Sequence, residues 1–191
     1  HRADGNWWDT VIPGYLDPSL FPSSEERDDY FLFVGRLIDR KGYGIAAEVA
    51  QALDTRLVVA GQGTPPAGCD YRGVVGPEER GRLMSRARAV FVPTLYLEPF
   101  GNVHAEAMVC GTPVITTDWG VFTETVEDGV NGFRCRTFGE FLNAAKSVDG
   151  LDRDVIRRRA IARFGLEPVS RQYEAYFERL LTLWDRGWYA A

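Results

Sequence analysis

The chain has 191 residues, 45% of them hydrophobic and 26% charged, which suits a soluble globular protein of one large or two small domains. A disordered chain would be poorer in apolar residues and more heavily charged. The net charge of -5 argues against a dedicated nucleic-acid binder, which carries a basic face. The three cysteines, Cys69, Cys110 and Cys135, are odd in number and widely spaced. Neither a disulfide framework nor a zinc site is expected, and a reducing, cytoplasmic setting fits. No apolar run approaches the roughly 18 residues that a membrane span needs, and no signal peptide is expected.

In chain order, residues 13–29 are rich in Pro, Ser, Asp and Glu and read as a surface connection. Tyr30 to Val34 reads as a buried strand ending at Gly35. Lys41 to Leu53 places Ala46, Val49, Ala50 and Leu53 at helical spacing. Arg56 to Ala60 is a strand that stops at Gly61-Gln62-Gly63, and Tyr71 to Val75 is a weaker one. Pro77 suits the first position of a helix running to about Ala87. Ala89 to Val92 is a further buried strand. A helix from about Gly101 to Cys110 is stopped by Gly111 and Pro113. Strands follow at Pro113 to Thr117 and Gly132 to Cys135. Helices follow at Phe138 to Val148, Asp152 to Arg163 and Pro168 to about Arg186. Strands alternating with helices predict an α/β, Rossmann-like, three-layer domain: a mostly parallel sheet of about six strands with helices on both faces. Near-continuous apolar strands agree, because such strands are buried on both sides. In this fold class ligands bind beyond the carboxyl ends of the strands.

Three segments at those ends carry chemistry. In the first, Gly35 to Gly42, Arg36 ends a strand and Lys41 stands near a helix start, where the dipole prefers negative charge. A bound anion explains two cations there, since Arg forks onto phosphate oxygens and Lys adds a point charge; ordinary surface cations are the plainer account. The second segment runs from Glu98 through Pro99, Phe100, Gly101, Asn102 and Val103 to Glu106. Gly101 permits close approach of a ligand to the backbone, and the first-turn N–H groups would face an anion. Eight helical residues rise about 12 Å. Two carboxylates so separated suit a ligand with hydroxyls at both ends and phosphate between, as in a nucleotide-sugar. The plainer account makes Glu98 a helix cap and leaves Glu106 on a wet face. The third segment, Asp118 to Glu124, borders the same cleft, followed by a turn at Asp128 to Gly132.

Together these segments resemble the C-terminal, donor-binding domain of retaining family 4 glycosyltransferases, the group 1 family of GT-B fold, over about residues 9–180. The matching stretches are Val11-Ile12-Pro13-Gly14, Gly35-Arg36-Leu37 with Lys41-Gly42, and Ala60-Gly61-Gln62-Gly63. Glu98-Pro99-Phe100-Gly101 with Glu106-Ala107-Met108, Gly111 to Ile115 and Asp128 to Phe133 complete them. The resemblance implies sugar transfer from a nucleotide-diphosphate sugar with retention of anomeric configuration and without a metal or other cofactor. It implies that Arg36 and Lys41 neutralise the diphosphate, and that Gly35, Gly61 and the backbone of Phe100, Gly101, Asn102 and Val103 border the donor. Glu98 would bond sugar hydroxyls, Glu106 the ribose, and Val74 or Val75 the base. Glu124 is the acid matching the family's Pro-Glu segment, with a different lead-in.

The implied division is an interdomain connection with a first strand over 1–29, the donor domain over 30–166, and a C-terminal helix over 167–191. That helix would pack toward an N-terminal domain that binds the carbohydrate, lipid or small-molecule acceptor, so the isolated chain is expected to be inactive. Membrane association, if any, would be peripheral and belong to that other half. Tyr173, Tyr176, Phe177, Leu180, Leu181 and Trp184 form an apolar stripe read mostly as core packing. Trp184, Trp188 and Tyr189, with Trp7 and Trp8, are expected to cover an interface and to favour self-association. Arg157-Arg158-Arg159 reads as a solvated helix face, His104 as a partner of a backbone group, and Cys110 as a small buried apolar residue. The alternative function is a non-catalytic nucleotide-sugar binding module or a subunit of a split glycosyltransferase. A phosphorylase or epimerase relative comes next, and a nicotinamide-dependent dehydrogenase last, for want of the full glycine fingerprint.

Overall fold

The computed structural model describes residues 10–184. Six strands form one parallel sheet: β1 (Tyr30–Val34), β2 (Arg56–Ala60), β3 (Asp70–Tyr71), β4 (Ala89–Val92), β5 (Val114–Thr117) and β6 (Gly132–Cys135). Among the described residues, seven α-helices accompany them: α1 (Tyr43–Ala52), α2 (Pro77–Arg86), α3 (Asn102–Val109), α4 (Phe122–Thr125), α5 (Phe138–Ser147), α6 (Arg153–Phe164) and α7 (Leu166–Trp184). The strand order is β3-β2-β1-β4-β5-β6. The direction of winding therefore reverses between β1 and β4, the place where open α/β sheets leave a crevice for ligands.

Alternation of side chains along each strand builds two cores. Phe31, Phe33, Val59, Phe91 and Ile115 face α1 and α5. Leu32, Val58, Val90 and Val114 face the side of α2, α3 and α6. Both faces of the inner strands are covered, which is why β1 and β4 are apolar runs, whereas the edge strands β3 and β6 carry Asp70 and Arg134. Among the described residues, no helix is long and apolar enough to cross a membrane.

Several boundaries differ from expectation for local reasons. The helix expected from Lys41 starts at Tyr43, because Gly42 sits at φ 73° and residues 39–41 form a separate 3-10 turn. A Cβ at Gly42 would lie 2.0 Å from the Pro93 carbonyl oxygen, so the glycine lets this turn press against the end of β4. β3 is two residues long rather than five. The chain turns away at Gly73, whose carbonyl accepts from Gly61 N at 2.7 Å. α7 begins two residues before Pro168, which stands in the first turn where no intrahelical N–H is required. Among the described residues the first strand is β1: residues 10–29 hold a 3-10 turn and a single bridge from Leu16 to Gly165.

Two readings of side chains need correction. The stripe on α7 is not core: Tyr173, Phe177 and Leu181 are 41%, 57% and 75% exposed. The helical period is real, but no described element covers that face. Trp7, Trp8, Trp188 and Tyr189 lie outside the described residues. The arginine triplet is not uniformly solvated either. Arg157 Nη1 donates to the carbonyls of Phe21, at 2.7 Å, and Val109, satisfying the end of α3, while Arg158 is exposed.

Candidate active site

The carboxyl edge of the sheet collects the expected residues in a row. Val74 and Val75 follow β3, Gly61 follows β2, Gly35 and Arg36 follow β1, and the glutamate segment follows β4. At the winding reversal a cavity of about 310 Å³ opens between β1 and β4. Gly35, Lys41, Glu98, Phe100, Gly101, Asn102 and Val103 line it, above a floor of Phe33, Val34, Phe91 and Val92. α3 points its N-terminus at this space; His104 N donates to the Gly101 carbonyl at 3.1 Å, and the N–H groups of Asn102 and Val103 ahead of it have no intrahelical acceptor.

Lys41 and Glu98 meet across the cavity although 57 residues apart, with Nζ donating to Oε2 at 2.8 Å. Tyr96 joins them: its hydroxyl donates to the same Oε2 at 2.7 Å and accepts from Lys41 Nζ. Burial pushes the Glu98 carboxyl up, but the bonds from Lys41 and Tyr96 outweigh it and hold the group below the usual glutamate value. Burial likewise pulls the Lys41 ammonium down, and its bonds to Glu98 and Tyr96 lift it above the ordinary lysine value. Both groups are charged at neutral pH. His104, in the first turn of α3, puts Nδ1 2.5 Å from the Gly101 carbonyl, the backbone role expected of it.

The other expected residues stand apart from this cavity. Arg36 is exposed on the same connection and has no partner among the described residues. Gly61 packs against the Gly35 backbone, and Val74 is 77% exposed at the sheet edge with Val75 half-buried beside it. Glu106 is neither wet nor in the cavity. It is buried against α2, where Arg80 Nη2 donates to Oε1 at 2.8 Å. Arg80 Nε lies 2.7 Å from Oε2, an ion contact too poorly aligned for a hydrogen bond. Burial raises the Glu106 carboxyl, and the charge and bond of Arg80 oppose that. Glu124 is exposed on α4 and borders a different hollow of about 520 Å³. That larger space lies away from the strand ends, and its charges pair among themselves, Arg159 with Glu127 at 2.8 Å and Arg134 with Asp128 at 3.4 Å.

The reading from sequence overlooked Tyr96 and Arg80, and it had no role for Trp119 beyond bordering the cleft. Tyr96 lies in a loop, where no periodicity marks a residue. Its one signal is position, two residues before Glu98. Arg80 sits on an amphipathic helix among other charges. Trp119 Nε1 donates to the carbonyls of Thr94, at 3.0 Å, and Tyr96, at 3.2 Å, so the connection after β5 anchors the loop that carries Glu98.

With this geometry in place, comparison with known proteins is informative. The model of the family described as glycosyl transferases, group 1, matches residues 20–153, more than half of the chain. The chain belongs to the group 1 glycosyl transferases. A phosphatidyl-myo-inositol mannosyltransferase of Mycobacterium tuberculosis is 29% identical over 79% of this chain and 47% of its own length. An uncharacterised glycosyltransferase of Methanocaldococcus jannaschii is 32% identical over 56% of this chain and 32% of its own. The chain thus spans about half or less of the length of these curated relatives. Among solved structures, a glycosyltransferase involved in avilamycin A biosynthesis superposes with a TM-score of 0.81 at 30% identity, covering 93% of this chain and 60% of that one. The Anabaena protein HepE, solved in complex with UDP and glucose, shares the fold at a TM-score of 0.75 and 22% identity, over 88% of this chain and 56% of that one. The six-stranded parallel sheet is thus the Rossmann-like fold of the GT-B glycosyltransferases.

Proposed function

We propose that this chain is the donor-binding half of a glycosyltransferase that moves a sugar from a nucleotide-diphosphate sugar to an acceptor with retention of configuration. The observation that carries the reading is the cavity at the winding reversal, where Lys41, Glu98 and the N-terminus of α3 converge. A diphosphate there would lie against an ammonium and unpaired N–H groups, and Arg36 is free to fold over it. Glu98 would accept from sugar hydroxyls.

In the step itself, the bond between the anomeric carbon and the diphosphate oxygen breaks, and a bond to the acceptor oxygen forms on the same face. The acceptor proton passes to the departing diphosphate. The protein's part is positioning and stabilisation of the leaving charge by Lys41, Arg36 and the first turn of α3. The reading assigns this charge compensation to side chains and backbone rather than to a metal. Binding of the acceptor is assigned to a second domain, with the exposed face of α7 turned toward it.

A calorimetric titration with UDP, GDP and ADP, and then with their sugars, tests the reading. One nucleotide is expected to bind. Lys41→Ala and Arg36→Ala should each weaken it by about tenfold, as loss of a charge-assisted bond to phosphate does. Nucleotide binding that ignores both substitutions would overturn the site. This chain by itself should transfer no sugar to any acceptor, and measurable transfer would refute the assignment of the acceptor to another domain.

A further inference from the structure

Tyr96 touches both charged groups of the cavity and has no part in the reading above. We infer that Tyr96 is a positioning residue that fixes which oxygen of Glu98 meets the donor sugar; the inference rests on the donor-site reading. A phenol has one proton, and here it goes to Glu98 Oε2, so the bond from Lys41 Nζ ends on the phenol oxygen. Lys41 donates to the same Oε2. Both bonds to the carboxylate thus converge on one oxygen, and Oε1 is left for a ligand.

The arrangement matters most when the donor arrives. Lys41 cannot serve the diphosphate fully and also remain on Glu98. As it turns away, Glu98 loses one of the two bonds that orient it. The Tyr96 bond persists through that exchange and keeps Oε2 engaged, so that Oε1 stays available to the sugar.

The loop that carries the phenol is held from two sides. Trp119 Nε1 donates to the Tyr96 carbonyl at 3.2 Å, and Leu95 N donates to the Arg40 carbonyl at 2.8 Å. The loop is therefore fastened both to the connection after β5 and to the turn that carries Lys41. Pre-orientation of this kind costs little when the ligand binds, because the ordering is already present.

The test compares sugar-bearing with bare nucleotides on this chain, using UDP with UDP-glucose and GDP with GDP-mannose. For the pair that binds, Tyr96→Phe should weaken the nucleotide-sugar about tenfold and the bare nucleotide less than twofold. Tyr96→Ala removes the ring as well and should weaken both. The difference between sugar and bare nucleotide should also fade at a higher pH on acidification in Tyr96→Phe, because Glu98 loses a bond that favours its ionised form. Equal loss for both ligands, or no loss for either, overturns the role of Tyr96 and leaves the donor site standing. Failure of the wild-type chain to bind any of the four overturns the donor site and the role of Tyr96 with it.

Discussion

Gly61→Ala is expected to cost the fold about 3–5 kcal/mol and to disrupt the floor of the cavity as it does so. Gly61 sits at φ 147°, outside the range that side chains favour. A Cβ placed there would stand 1.8 Å from the Gly35 carbonyl oxygen and 2.6 Å from its carbon. The obstacle is backbone, so no rotamer change relieves it. Nor can Gly61 and Gly35 move apart freely, since each is tied to its neighbouring strand or loop. Gly35 N donates to Ala60 O at 2.9 Å, and Gly61 N donates to Gly73 O at 2.7 Å. Relief must come by breaking one of these or by pushing Gly35 into the cavity it lines. Gly68→Ala is the control, since Gly68 also has a positive φ, 77°, but nothing lies within 4 Å of its missing Cβ. That variant should lose about 1–2 kcal/mol from strain alone. Urea denaturation of the two variants decides the matter: equal midpoints would mean that the contact with Gly35 is not the cause. Gly61 then acts on any ligand through packing of the strand ends, and nucleotide binding in Gly61→Ala should fall together with stability.

The strands were legible because they are buried on both faces. Runs such as Tyr30 to Val34 and Ala89 to Val92 have no polar face to confuse with a helix. β3 was overestimated because an edge strand with an exposed Tyr71 lacks that signature. Lys41 and Glu98 were legible from position, since each follows the end of a buried strand. That they would pair was not legible, because their contact depends on the order in which β1 and β4 lie side by side. Glu106 shows the same limit. Its spacing from Glu98 in the sequence is a local property, but whether it faces solvent or Arg80 depends on how α2 packs against α3. The α7 stripe shows the converse. Its period specified a helix with an apolar face, and no local property says whether this chain or another surface covers it.

His104 should make the fold lose stability as the pH falls from about 6.5 to about 4. The ring is fully buried among Phe100, Phe122 and Phe164, and its Nε2 has no hydrogen-bond partner. Burial drives its pKa down to about 4, against smaller upward contributions from the Gly101 carbonyl and Glu98. In the unfolded chain a histidine titrates near 6.5. Between those values the unfolded state binds a proton that the folded state refuses, so stability falls as the pH drops from about 6.5 to 4. The slope is roughly 1.4 kcal/mol per pH unit, which makes the full loss roughly 3 kcal/mol. Glu106 works the other way, because its raised carboxyl takes up a proton in the folded state first. Glu98, with a lowered carboxyl, contributes stability that is present above the unfolded glutamate value near 4.3 and is lost only as the pH falls further. A His104→Asn variant separates these contributions. Its amide can still donate to the Gly101 carbonyl, but it does not titrate. The variant should be less stable than the wild type at pH 7, since it leaves space among three aromatic rings. That deficit should shrink by roughly 3 kcal/mol on going to pH 4, as the wild type alone pays the histidine penalty. Chemical denaturation at several pH values gives the difference directly, and a difference that stays flat from pH 7 to 4 would mean that the buried imidazole is not the titrating group.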